Sequence, residues 1–194
     1  QVNASNETNA TNLTNMTAEE RDRNNRLYSI LIKSDGVNKP EIMRSLDFIR
    51  GLDISAQKLE PDIWITPEDN DFAENFFREN NLDPSRTICL FSGAQYDVRI
   101  YNGYGTALTE ICRKQGFSII GLGSAADSEI NNKNLEDIGV RTIDLSGKTT
   151  LLQTAAILSR CRLAIGAETG LAHMACAIGV PNVILLGGGH FGRF

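Results

Sequence analysis

Leu163-Ala164-Ile165-Gly166-Ala167-Glu168-Thr169-Gly170-Leu171-Ala172-His173-Met174-Ala175-Cys176-Ala177-Ile178-Gly179-Val180-Pro181-Asn182-Val183-Ile184-Leu185-Leu186 is the stretch that decides the fold. A short apolar run ends at Gly166, and a small polar turn leads into an Ala-rich helical segment over 169–178. Gly179 and Pro181 close that segment, and a second apolar run fills 182–186. Strand, helix and strand thus follow one another directly. The same rhythm extends backwards, with strands expected at 87–91, 117–122, 141–145 and 163–166. Helical patterns lie between them: one through Leu108, Ile111 and Cys112 up to Gly116, a polar one over 130–138, and one over 151–160. Such alternation implies βαβ units and an α/β fold, a Rossmann-like parallel sheet with helices on both faces. Right-handed crossovers then bring every strand-to-helix loop to one edge of the sheet, where these sheets bind ligands.

Upstream of Pro84 the pattern is weaker. Residues 1–25 are rich in Asn and Thr, lack apolar periodicity, and read as disordered. They hold five sequons, at Asn3, Asn6, Asn9, Asn12 and Asn15, which an Asn/Thr repeat generates by composition alone; a polar linker is the preferred reading. Leu27, Ile30 and Leu31, then Ile42, Leu46 and Ile49, fit helical spacing. Asp62-Ile63-Trp64-Ile65-Thr66 reads as a short strand, and Pro67-Glu68 opens a helix running through Phe76 and Phe77.

The 194 residues, 41% of them hydrophobic, suit one full domain and part of another. A net charge of −5 argues against nucleic-acid binding, which needs a positive surface. Cys89, Cys112, Cys161 and Cys176 are widely spaced, without a C-x-x-C pair or a His cluster, so neither a zinc site nor a disulfide framework is expected. No apolar run reaches the length needed to span a bilayer, and no secretory signal is visible. The absence of an initiator Met and the abrupt end suggest a piece of a larger protein.

The chemistry concentrates at residues 166–173. The first N–H groups of the helix beginning at Thr169 would face the strand-end edge, and the positive end of its dipole favours a phosphate there. Gly170, lacking Cβ, lets a diphosphate approach the backbone. His173 lies one turn further along the same face. Taken alone, Thr169 could equally be a helix cap and His173 a packed core histidine.

This segment, with Asp144-Leu145-Ser146-Gly147-Lys148-Thr149-Thr150-Leu151 before it, resembles glycosyltransferase family 9, the heptosyltransferases. Ser92-Gly93-Ala94 with Arg99 and Tyr101, and Gly121-Leu122-Gly123, are similar to the family's first and second donor-domain loops. The resemblance covers roughly 87–188. It implies the C-terminal, donor-binding half of a two-domain GT-B fold, here incomplete. On that view 26–84 is the tail of the acceptor domain and the linker, and 85–194 is a truncated nucleotide-sugar-binding domain. Thr169 and Gly170 would hold the diphosphate and Arg99 would neutralise it on departure. Glu168 would bond sugar hydroxyls. Ser92, Gly93, Gly121 and Gly123 would line the nucleotide pocket, and Ser146 and Gly147 would sit near the base. The implied reaction transfers a sugar with inversion from a nucleoside-diphosphate sugar, typically ADP-heptose, to a saccharide or glycolipid acceptor of the lipopolysaccharide kind. The donor is a substrate, and neither cofactor nor metal is implied. The resemblance places the enzyme in the cytoplasm, peripheral at the inner membrane.

The sequence departs from the family at three places. Glu168 stands where Asp is usual, Arg99-Ile100-Tyr101 replaces a Lys-Arg-Trp-like element, and Gly187-Gly188-Gly189-His190-Phe191 replaces a Phe-Gly-Pro turn. The family's catalytic Asp lies early in the other domain, so no catalytic residue is expected in this chain and it should be inactive alone. Two other readings stay open here. Gly121-Leu122-Gly123-Ser124-Ala125-Ala126, with Asp144 about 20 residues on, fits an NAD-binding loop. A degenerate, non-catalytic sugar-nucleotide-binding module is the other, with an epimerase of the same fold as an enzymatic variant. Gly147-Lys148-Thr149 fails as a P-loop, because Thr142 occupies the required glycine position.

Overall fold

The computed structural model describes residues 17–30, 32 and 39–187. The chain forms two compact units, one comprising 1–60 with 190–194 and the other 61–189.

Within the first unit, helix α1 (Ala18–Asn25) starts on a capping box. The Thr17 hydroxyl accepts from the Glu20 N–H at 3.2 Å, and the Thr17 N–H donates to the Glu20 carboxylate at 2.8 Å. Disorder was expected up to residue 25, and here the structure corrects it. Thr17-x-x-Glu20 is a helix-start signature that the surrounding Asn/Thr composition obscured. Residues 1–16, with the five sequon asparagines, lie outside the described residues. The helical spacing of Leu27 and Ile30 has no helix beneath it: α1 stops at Asn25 and both side chains are exposed, while Leu31 lies outside the described residues. Helix α2 (Glu41–Gly51) buries Leu46, as its spacing predicts.

The second unit opens with an extended segment and then α3 (Pro67–Glu79), whose N-cap Thr66 accepts from the Asp69 N–H at 3.2 Å. The expected strand over 62–66 does not form. Ile63 and Ile65 do alternate inward against the core while Trp64 is 85% exposed. Alternation alone gives burial on one face; a strand also needs a neighbour to pair with.

The sheet follows: β1 (Thr87–Phe91), α4 (Tyr104–Gln115), β2 (Ser118–Gly121), α5 (Ser128–Ile138), β3 (Thr142–Asp144), α6 (Leu151–Arg160), β4 (Leu163–Ala167), α7 (Gly170–Ala177) and β5 (Asn182–Leu185). All pairs are parallel, in the order β3-β2-β1-β4-β5. Successive strand residues serve opposite faces. Ile88, Leu90, Ile119 and Ile165 meet α4 and α5 through Tyr104, Cys112, Leu135 and Ile138. Cys89, Phe91, Ile120 and Ala164 meet α3, α6 and α7, with Phe77, Ile157 and Met174 among the contacts. Helices on both faces of a parallel sheet are thus as expected. The unit also takes in 61–84, which the sequence reading gave to the preceding domain: α3 buries Ala73 and Phe77 in the same core as α6, and Arg160 pairs with Glu74 at 3.3 Å.

Candidate functional site

Strand order reverses between β1 and β4, because β1 leads outward to β2 and β3 while β4 leads the other way to β5. The loops leaving β1 and β4 therefore diverge and leave a crevice at their carboxyl ends. A cavity of about 980 Å³ lies there, at the upper end of small-molecule sites, which run to roughly 1,000 Å³. Phe91 forms part of its wall, and its ring is admitted by Gly166 across the β1–β4 pair. A Cβ on Gly166 would stand 2.1 Å from Phe91 Cδ2.

Six of the residues singled out in the sequence line this cavity: Gly93, Gly123, Gly147, Thr169, Gly170 and His173. Thr169 is the N-cap of α7 in extended conformation, yet its side chain makes no cap bond. Its Oγ1 is buried and has no hydrogen-bond partner. The N–H groups of Gly170 and Leu171 begin the helix, where no intrahelical acceptor exists, and both residues line the cavity. A Cβ placed on Gly170 would meet nothing within 4 Å. His173 is exposed on the cavity wall rather than packed in the core.

The other five do not line it. Ser92 and Ser146 are buried, and both hydroxyls are taken up by neighbours. Gly121 lies within β2, where a Cβ would stand 2.9 Å from Leu135 Cδ1, so its smallness serves packing under α5. Glu168 is 8% exposed, and its N–H donates to the Leu185 carbonyl at 3.2 Å. Arg99 is half-buried, with its guanidinium carbon 5.6 Å from the centre of the Tyr96 ring and its Cγ beside Gly187. Gly187 is the last described residue of the Gly187–Phe191 stretch; the rest lies outside the described residues.

Two residues that the sequence reading passed over organise the loops. Asp127 fills the space between two glycines: a Cβ on Gly93 would lie 2.0 Å from its Oδ1, and one on Gly123 2.8 Å from its Cβ. Its Oδ2 accepts from the Ser124 N–H and hydroxyl, each at 2.7 Å. Asn131, fully buried in α5, reaches the ends of three strands. Asp144, the acidic residue an NAD site would turn to a ribose, is engaged inward instead. Its Oδ1 accepts from the Ser146 N–H at 3.0 Å and hydroxyl at 2.6 Å, and its Oδ2 from Ser128 at 2.8 Å. Burial alone would raise its pKa, but these bonds and the nearby Lys148 ammonium outweigh it, and the net shift is downward. Among the described residues no cluster of three or more His, Cys, Asp or Glu side chains could hold a metal. None of their helices is long and apolar enough to cross a membrane.

A doubly wound sheet with a cavity at its switch point is the architecture of Rossmann-like nucleotide-binding domains. More narrowly, the chain belongs to glycosyltransferase family 9 (heptosyltransferase), whose family model matches residues 19–193. Lipooligosaccharide heptosyltransferase 2 of Haemophilus influenzae is 30% identical over 137 residues, a match covering 66% of this chain and 40% of that protein. The structure of glycosyl transferase family 9 from Veillonella parvula aligns with a TM-score of 0.77 at 20% identity, over 88% of this chain and 52% of its own. E. coli heptosyltransferase WaaC, solved with ADP-2-deoxy-2-fluoro heptose, aligns with a TM-score of 0.56 at 16% identity, over 80% and 46%. The chain thus spans about half the length of these relatives, or less.

Proposed function

We propose that this chain carries the nucleotide-sugar-binding part of a heptosyltransferase-like glycosyltransferase acting in lipopolysaccharide or lipooligosaccharide assembly. Its donor is an ADP-heptose-like sugar, bound as substrate without a cofactor. The acceptor, a saccharide or glycolipid, meets the enzyme through residues beyond those described, and the protein works in the cytoplasm at the inner membrane. The observation that carries the reading is the start of α7. Thr169, Gly170 and Leu171, which open the helix, all line the cavity; the Thr169 hydroxyl is buried without a partner, and the missing Cβ of Gly170 leaves open space. An unpaired buried hydroxyl is unfavourable by about 1–3 kcal/mol, and a phosphate oxygen would satisfy it while interacting with the helix dipole.

On this reading the diphosphate sits on Thr169 and Gly170. The nucleoside extends over the loops at Gly93, Gly123 and Gly147, and the sugar projects towards His173. Arg99 reaches the diphosphate only when a ligand draws its side chain from Tyr96. Transfer proceeds as the acceptor hydroxyl, deprotonated by a carboxylate outside the described residues, displaces the diphosphate; the helix start stabilises the charge that develops on it. Calorimetric titration with ADP, GDP, UDP and NAD tests the assignment. Selective ADP binding that weakens in Thr169→Val supports it. NAD binding indifferent to Thr169→Val would overturn it in favour of the Gly121 loop.

A further inference from the structure

The cavity owes three of its walls to loops leaving different strands: 92–95 after β1, 122–127 after β2 and 145–149 after β3. Loops of this kind shift independently unless something ties them together. Among the described residues, one buried side chain touches all three. Asn131 is 0% exposed on the inner face of α5. Its Oδ1 accepts from the Ser92 N–H at 3.0 Å and from the Ser92 hydroxyl at 2.5 Å. Its Nδ2 donates to the Leu122 carbonyl at 3.0 Å and to Ser146 Oγ at 2.8 Å. The Ser146 hydroxyl in turn donates to Asp144 Oδ1 at 2.6 Å. Every donor and two acceptor positions of the carboxamide are used, and none of these bonds involves a residue of α7.

We infer that Asn131 is the positioning residue of the nucleoside end of the cavity, setting through one carboxamide the spacing of three loops that would hold base and ribose. The inference rests on the donor-site reading above. A fully satisfied buried network fixes a single arrangement, and a half-satisfied one does not. Apolar contacts could supply the same burial, but only paired donors and acceptors in fixed directions set the loops against one another. Because α7 is not part of the network, Asn131 bears on the nucleoside and not on the diphosphate.

Asn131→Asp preserves shape and acceptors and removes both N–H donors, leaving the Leu122 carbonyl without its Asn131 donor and Ser146 Oγ with only its bond to Asp144. The test titrates ADP and inorganic pyrophosphate calorimetrically into the 194-residue chain and its variant. The expected result is an ADP Kd raised about tenfold with the pyrophosphate Kd essentially unchanged. A general loss of structure would weaken both ligands together, so the ratio of the two constants separates positioning from mere stability. An unchanged ratio overturns the inference. Should Asn131→Asp fail to fold, as circular dichroism would show, Ser92→Ala removes one donor alone; a ratio shifted about threefold supports the inference, and an unshifted one overturns it. If the wild-type chain binds no ADP, the donor reading falls and takes this inference with it. If it binds ADP and the ratio stays constant, this inference falls alone.

Discussion

A methyl group added at Gly170 meets no protein atom within 4 Å, and Ala is the better helix former by about 0.5–1 kcal/mol. Gly170→Ala should therefore hold or raise the melting temperature while weakening ADP binding about tenfold, because the methyl occupies the space the diphosphate needs. Thr169→Val removes a buried hydroxyl that has no partner. The empty protein should lose no stability, and the affinity for ADP should fall. A variant that melts lower and binds normally would contradict the role given to either residue; calorimetry and a thermal melt read both. Asp144 gives a prediction in pH. Its carboxyl titrates below its ordinary 3.8, so its contribution to stability is present above that value and lost as pH falls through the lower, folded-state value. Urea midpoints measured from pH 6 to pH 3 should drop more steeply for wild type than for Asp144→Asn; parallel curves would contradict the network.

At the scale of elements, the strands and the helices α6 and α7 were legible because burial and period agree in them. Phe77 and Gly166 show what holds them together. Phe77→Ala empties a buried aromatic site where α3 and α6 share a core and should destabilise by roughly 3–5 kcal/mol. Gly166→Ala places a methyl into Phe91 and should destabilise by about 1–3 kcal/mol unless β1 and β4 separate. Denaturant unfolding checks both. Helix α5 was harder to read. Its segment looked polar and poorly patterned, yet Asn131, Asn134, Leu135 and Ile138 form its buried stripe. Two asparagines occupy core positions because each carboxamide is satisfied there: Asn131 by the strand ends, and Asn134 by the Gly105 N–H at 3.2 Å and the Ile130 carbonyl at 3.0 Å. Polar residues at helical core spacing were the available signal. At the other end of the chain composition misled, since the Thr17–Glu20 capping box starts a helix inside a stretch whose composition reads as disordered.

For the whole molecule, the parallel sheet and the edge that carries the cavity followed from alternation and crossover handedness, whereas the order of the strands did not. The contents of the cavity followed only in part. Thr169 and Gly170 were legible because a helix start and a close backbone approach leave marks in sequence, whereas Gly93, Gly123 and Gly147 came from the family resemblance and Gly121 serves packing instead. Ser92, Ser146 and Glu168 proved buried, and spacing along one chain does not say whether a side chain turns to the ligand or to the core. That depended on partners distant in sequence, Asn131 above all, 39 residues from Ser92.

On the reading proposed above, the nucleotide binds in the strand-end cavity, with its floor at the start of α7. Hydrogen exchange followed by mass spectrometry, with and without saturating ADP, tests the location directly. Binding there should slow exchange at the amides of 169–172 and in the loops at 93–95, 123–127 and 147–149, with α4 unchanged. Protection confined to other segments, with 169–172 exchanging as before, would contradict it.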